Sequence, residues 1–354
     1  MRAARYYGKE DIRVEEVEID PCGDGQVRVA PSYVGICGTD LHEFLGGPTF
    51  APVTPHPLSH DTVPITLGHE FSGVVSEVGP GVSQFNPGQH VVVQPTLSCG
   101  RCSACSCGAE NVCEKGGFIG LSGGGGGLSD SVVVPQGSVL NLPEQIPLKV
   151  GALVEPLSVA WHAVSAAALI PGSTVLVLGG GPIGLAVVQC LVALKTKKII
   201  MSELSKTRQR FAREFGAHHV LDPKTYDLVA ISRELSGQGG PDVVFDCAGV
   251  PASLVTAFQA VKPRGTVVNV AIWEREVPFQ PNMLVFKEAH YTAVLGYQRE
   301  DFQAVIDHLA EGTLKPERMI TSTIPLNDLV EGGIKALIKD KESHVKILVK
   351  VDGQ

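Results

Sequence analysis

The stretch Ser173 to Glu203 constrains this chain more than any other, because it reads as strand, glycine turn, helix, second strand and closing acid. Thr174 to Leu178 (TVLVL) is a short apolar run with β-branched residues, as a strand buried on both faces of a parallel sheet requires. Gly179, Gly181 and Gly184 follow at once as GxGxxG, with Pro182 and Ile183 between the last two. The first glycine permits a tight turn, the second lets the backbone approach a pyrophosphate, and the third lets helix and strand pack closely. The phosphates would rest on a helix N-terminus, where unpaired N–H groups and the dipole attract an anion. Leu185 to Leu194 is the expected helix and Lys198 to Met201 the second strand. Glu203 then stands about 20 residues past the glycines, where an acid suits the ribose 2′-OH of NAD and repels the 2′-phosphate of NADP. Lys206 and Arg208 pull the other way, since basic groups accommodate a phosphate, and Arg208 is a candidate cofactor contact.

The α/β alternation continues past Glu203. Helices are expected at Ser205 to Phe215, Thr225 to Ser236 and Ala252 to Val261, with strands near Val220, at Asp242 to Asp246 and at Gly265 to Val270. That is a doubly wound parallel sheet. From about His290 the pattern changes to helices at Gln303 to Glu311 and Leu326 to Ile338, and the terminal VKILVKV reads as a strand.

Length and charge exclude other classes. A chain of 354 residues is long for one domain and can bury two cores. The net charge of −8 gives no electrostatic footprint for nucleic acid or an anionic membrane. The Met1 end lacks the apolar core of a signal peptide, and every long apolar run is broken before spanning length, so the cytoplasm is the default. Nine cysteines are an odd number for a disulfide framework, and five of them cluster between Cys99 and Cys113.

That cluster points to metal. Cys99, Cys102, Cys105 and Cys113 are spaced C-x2-C-x2-C-x7-C, compact enough for four thiolates to surround one tetrahedral zinc ion. With every position filled by protein, such a zinc is structural, and Cys107 is surplus. The N-terminal half around it alternates apolar and charged residues and reads as β structure. It carries Cys37-Gly-Thr39-Asp40-Leu-His42 just past one strand and Gly68-His69-Glu70 before another. A proline-rich loop between them is expected to leave His56 and His60 at the surface, and the five glycines at 123 to 127 read as a turn or flexible loop. Cys37, His69 and Glu155 together offer a thiolate, an imidazole and a carboxylate, the layout of a zinc with a fourth position open. Taken singly, each also suits an ordinary role as a packed thiol, a satisfied imidazole or a helix cap.

The order of these features, Cys37-Gly-Thr39-Asp40, Gly68-His69-Glu70, the four-cysteine lobe, Glu155-Pro156 and GxGxxG, resembles the zinc-dependent medium-chain dehydrogenases over nearly the whole chain. Glu155, with the segments GICGTDLHEFLGGP, ITLGHEFSG, ALVEPLSVAWHAV and AIWE at Ala271 to Glu274, points to their polyol and 2,3-butanediol branch. Leu194 to Lys198 lacks the glycine expected there between helix and strand. The resemblance implies a GroES-like β-rich catalytic domain at 1–152 and 291–354 and a Rossmann domain at 153–290. It also implies two zinc ions per chain, NAD, and a homodimer or homotetramer. Cys37, His69 and Glu155 would hold the catalytic zinc, with Glu70 beside it as a supporting group or alternate ligand. Thr39 and His42 match the family's hydroxyl and imidazole relay for the proton.

The expected activity is NAD-linked oxidation of a vicinal diol, 2,3-butanediol to acetoin, in the reversible sense. The alternatives are a sorbitol or xylitol dehydrogenase, an L-threonine 3-dehydrogenase or, from another class, a zinc-stabilised nucleotide-binding protein without turnover.

Overall fold

The computed structural model describes every residue of the chain except Gln238, Glu274, Lys341 and 352–354. Glu274, which ends the AIWE segment, therefore lies outside the described residues. The chain divides into two units. One comprises Met1–Glu155, Gln298–Ala310 and Ile320–Gln354, and the other Pro156–Tyr297 and Glu311–Met319.

In the second unit six parallel strands form one sheet: His219–Leu221, Lys198–Ser202, Thr174–Leu178, Val243–Asp246, Thr266–Asn269 and His290–Ala293, in that spatial order. Counted along the chain, the order across the sheet is 3-2-1-4-5-6, the doubly wound arrangement. The founding strand Thr174–Leu178 is buried at all five positions, as its uninterrupted apolar text demands. Pro182 opens the helix Pro182–Ala193, where its missing N–H costs nothing. Ser205 caps Lys206–Glu214 by accepting from the Arg208 N–H. The next helix, Leu228–Ser236, starts three residues later than its apolar text suggests because Asp227 is the cap, accepting from the Ala230 N–H at 3.0 Å. The strand His290–Ala293 falls where the sequence reads as a change of pattern. It is an edge strand, mostly exposed, and so lacks the apolar signature of its neighbours.

The glycine missing between helix and strand has a visible consequence. Helix Pro182–Ala193 closes with the Thr196 N–H on the Leu191 carbonyl and the Lys195 N–H on the Val192 carbonyl, both at 2.9 Å. That closure needs a left-handed residue, and Lys195 supplies it at φ 55°.

The first unit is built on a seven-stranded sheet. Its main path runs Val139–Asn141, His90–Val93, Glu70–Val78, Gln26–Gly35, Lys346–Lys350 and Ile320–Pro325, with Val132–Pro135 also on Gln26–Gly35. All pairs are antiparallel except the last two strands of the path, which run parallel. Alternate residues such as Val27, Val29, Val75, Val91 and Ile347 enter one core. A three-stranded sheet of Asp11–Glu16, Arg2–Gly8 and Ile65–Thr66 completes the β-rich part.

Two expectations are corrected here and one is narrowed. Of turn and flexible loop, the glycine run is the turn, with Gly123, Gly124 and Gly125 left-handed, and Gly123, Gly126 and Gly127 are buried. An added Cβ would come within 2.4 Å of the Leu67 carbonyl oxygen at Gly126 and within 2.6 Å of the Phe71 ring at Gly127. Glycine stands there because backbone packs on backbone and ring. His56 is half-buried, its Nδ1 accepting from the N–H groups of Leu58 and Ser59 at 3.3 Å, whereas His60 is exposed. The expected helix Leu326 to Ile338 is instead a 3₁₀ turn, a π segment Leu329–Lys335 and one α turn Ala336–Lys339. The Asp328 carboxylate takes the Gly332 N–H, and Gly333 packs where a Cβ would lie 2.6 Å from Ile36.

Candidate functional site

Two neighbouring strands of the first unit deliver the reactive group. Gln26–Gly35 runs into Cys37, and His69 directly precedes Glu70–Val78. Gly35 pairs with Glu70 across them, which brings both loops to the same end of the sheet. Cys37 is also the N-cap of the helix Gly38–Gly46, so its sulfur sits at the positive end of that helix. One ligand atom each of Cys37, His69 and Glu70 lies within 4.8 Å of the others.

Asp40 orders this group, and the sequence reading gave it no role. It is 1% exposed, takes the Cys37 N–H at 2.8 Å, and faces the His69 ring with Oδ1 at 3.8 Å from Nδ1. Burial pushes the His69 imidazole down, but the Cys37 thiolate and the Asp40 carboxylate outweigh it and raise the pKa to about 10. The surroundings that hold a proton there equally favour a divalent cation in its place. Thr39 Oγ1 lies 3.6 Å from Cys37 Sγ, and His42 is exposed further along the same helix.

Glu155 opens the helix Val154–Ala166 and is 7% exposed. Its charge acts on both His69 and Lys346, although it lies outside the group gathered within 4.8 Å. Glu70 is engaged already. Both its oxygens accept from the buried Lys346 ammonium at 2.7 and 2.8 Å, a partner the sequence did not suggest. A thiolate, an imidazole and carboxylates at one buried point form a donor set that suits zinc.

The four-cysteine lobe forms a second group, with the sulfurs of Cys99, Cys102, Cys105 and Cys113 all within 4.8 Å of one another. Its base is the short pair Thr96–Leu97 with Gly117–Phe118. Backbone N–H groups of Cys99 and Lys115 point at Cys113 Sγ at 3.3 and 3.4 Å. Hydrogen bonds from the Cys105 and then the Glu114 backbone lower the Cys102 thiol to about 6, while burial pushes Cys105 up to about 12. Sulfurs this close and this well supplied with N–H donors fit a tetrahedral metal. Cys107 is exposed, its thiol turned to the Ala104 carbonyl.

The nucleotide loop belongs to the second unit. Gly179 adopts φ 93°, and a Cβ on Gly184 would lie 1.9 Å from the Gly179 carbonyl oxygen, so helix and strand touch there. At Gly181 an added Cβ meets nothing within 4 Å, which leaves the backbone open to a phosphate group. Pro182 and Ile183, both half-buried, form the first turn of the helix. Glu203 is 8% exposed and accepts from the Gly180 N–H at 2.6 Å and the Ser205 N–H at 2.7 Å. Arg208 is half-buried on the following helix.

Two family models match the chain in succession. The model described as Alcohol dehydrogenase GroES-like domain matches residues 23–144, and the one described as Zinc-binding dehydrogenase matches residues 182–311. The (R,R)-butanediol dehydrogenase of Bacillus subtilis is 44% identical over 99% of both chains, and that of Neisseria gonorrhoeae 41% over 99% of both. The crystal structure of 2R,3R-butanediol dehydrogenase from Bacillus subtilis matches with a TM-score of 0.93 at 43% identity, covering 99% of each chain. With both domain models matched in order and identity sustained from end to end, the chain belongs to the zinc-binding medium-chain dehydrogenase family.

Proposed function

We propose that this dehydrogenase oxidises a vicinal secondary diol with NAD, 2,3-butanediol to acetoin, and runs the reaction in both directions. The observation that carries the reading is the meeting of Cys37, His69 and Glu70 beside the charge of Glu155. Relatives named (R,R)-butanediol dehydrogenase at 39–44% identity support the substrate, while relatives named for sorbitol and D-xylulose stand at 29–32%.

Cys37, His69 and Glu155 would hold the catalytic metal, and the four cysteines the structural one. When bound, zinc supplies a Lewis acid that makes an alcohol hydroxyl acidic, and the nicotinamide accepts hydride. The chain's own residues handle the proton. Thr39 takes it at Oγ1, beside Cys37, and the exposed His42 passes it to solvent. Asp40 holds the Cys37 N–H and sets its negative charge 3.8 Å from the His69 ring. Glu203, with the glycine loop, would receive the adenine ribose and pyrophosphate of NAD, and Arg208 flanks them. Nine unpaired cysteines suit a reducing cytoplasm, and among the described residues no helix is long and apolar enough to cross a membrane.

The working form in this reading is a homodimer or homotetramer. Supporting it, the open edge strand His290–Ala293 exposes Tyr291 by 42%, with Phe286 at 84% and Val285 at 62% just before it.

The test is NADH formation with (R,R)-, meso- and (S,S)-2,3-butanediol, sorbitol and threonine, with NADP in parallel, before and after chelation and zinc restoration. Zinc-dependent turnover of a butanediol is expected. Turnover of sorbitol or threonine alone would replace the substrate, and NAD binding without any turnover would remove the enzyme reading.

A further inference from the structure

The sheet of the second unit reverses its order between Thr174–Leu178 and Val243–Asp246, and a dinucleotide crevice opens at such a switch point, beyond the carboxyl ends of the strands. The first of these strands runs into the glycine turn, and the second ends in an acid with no part in the reaction scheme. Asp246 is fully buried. Its Oδ1 accepts the Ala248 N–H at 3.0 Å and the Gly249 N–H at 3.2 Å, and its Oδ2 accepts from the Ser253 hydroxyl at 3.0 Å. Its backbone carbonyl takes the N–H groups of Val270 and Ala271 at 3.0 and 3.1 Å. One residue therefore gathers the chain after the fourth strand and the chain after the fifth.

What it gathers bears on the glycine turn. A Cβ on Gly179 would lie 3.0 Å from the Ala248 Cβ and 3.1 Å from its Cα, so the turn rests directly against Ala248. Gly249, left-handed at φ 62°, packs on Ala271, where an added Cβ would come within 2.9 Å. The neighbouring strand on the other side supplies Glu203, whose carboxylate takes the Gly180 N–H. Helix capping alone does not account for Asp246, because Pro251 opens the helix Pro251–Ala260 and the Ser253 hydroxyl already takes the Val250 N–H at 3.3 Å. Burial pushes its carboxyl above the usual range despite the hydrogen bonds from Ser253, Gly249 and Ala248, so an acid here costs stability that an apolar residue would not. We propose that Asp246 is a positioning residue for the dinucleotide: by holding the Ala248 and Gly249 N–H groups it makes Ala248 the backstop that fixes the glycine turn where the pyrophosphate meets it. This rests on the reading of that turn as the NAD site.

The test titrates NADH fluorescence in wild type, D246A, D246N and A248G, each well below its melting temperature, with adenosine as a competitor that carries no phosphate. D246A is expected to bind NADH about tenfold more weakly and adenosine as wild type does. D246N keeps a carbonyl oxygen for the Ala248 and Gly249 N–H groups and should stay within about twofold of wild type. A248G leaves every bond of Asp246 in place and removes only the backstop methyl group, so it should weaken NADH by about threefold and decides the matter if D246A does not fold. Wild-type NADH affinity in A248G overturns the inference, as does wild-type affinity in folded D246A. So does an equal loss of NADH and adenosine in D246A, which would mark a general disturbance of the unit. A D246N as weak as D246A also overturns it, because the effect then lies in the charge and not in the hold on Ala248. If wild-type protein binds no NADH, the reading of the glycine turn itself falls and takes the inference with it.

Discussion

The carboxylate of Glu203 accepts the Gly180 N–H at 2.6 Å, so the acid that follows one strand braces the glycine turn at the end of its neighbour. Its other oxygen takes the Ser205 N–H and fixes the start of the next helix. Charge-assisted bonds of this kind contribute about 1.5–3 kcal/mol each. Glu203→Ala should therefore lower thermal stability, raise KM for NAD and leave zinc content unchanged. A folded variant with the wild-type KM for NAD would show that the turn needs no brace.

Gly181 and Gly184 sit in one loop but should fail differently. A methyl group at Gly184 meets the Gly179 carbonyl oxygen at 1.9 Å, so Gly184→Ala is expected to cost about 1–3 kcal/mol of stability. At Gly181 the methyl group enters open space, so Gly181→Ala should keep the wild-type melting temperature and lose dinucleotide affinity. Calorimetric melting together with NADH fluorescence titration separates the two, and equal melting losses would contradict the distinction.

Asp40 touches no substrate in this scheme, yet it takes the Cys37 N–H and faces His69. Groups that orient metal ligands typically contribute about 10–100-fold to metal affinity. Asp40→Ala should weaken the catalytic zinc by that factor in chelator competition while the second zinc per chain stays put. Loss of both ions at the same chelator concentration would place its role elsewhere.

Within the cysteine lobe, Cys102→Ser is expected to lower metal content from two zinc ions per chain to one and to reduce melting temperature. Cys107→Ser should change neither, because that thiol is exposed and turned to a backbone carbonyl. Elemental analysis of the purified variants decides the matter; a zinc lost with Cys107 would make it a ligand.

Lys195 holds a left-handed backbone at φ 55°, a conformation that costs a non-glycine residue about 1–2 kcal/mol. Lys195→Gly relieves that strain and gives back part of the gain as chain entropy. A net stabilisation of up to about 1 kcal/mol is expected in urea unfolding, and destabilisation would mean that the lysine side chain makes a compensating contact.

The nucleotide half was legible because its signals are local: apolar TVLVL, three glycines and an acid fall within one strand–helix–strand unit. Cys37 and His69 could be found because metal-binding types stood beside strand text. Lys346 could not. In VKILVKV it reads as the solvent-facing member of an alternation, and its burial follows from strand pairing with residues more than 270 positions away. The glycine run leaves turn and flexible loop open for a related reason, since only Leu67 and Phe71, brought in by the fold, pack it. Strand His290–Ala293 was missed because an exposed edge carries no apolar periodicity.

The strand Lys346–Lys350 lies between Gln26–Gly35 and Ile320–Pro325 in the finished sheet. During translation it emerges last of the three, 276 residues behind Glu70. At about 5–20 residues per second that is a delay of roughly 14–55 s. The cysteine lobe, complete by Cys113, can gather its ion early in synthesis. The pocket around Glu70 can mature only once this late strand has emerged, so a chain halted before Lys346 carries a knitted lobe beside an unfinished site.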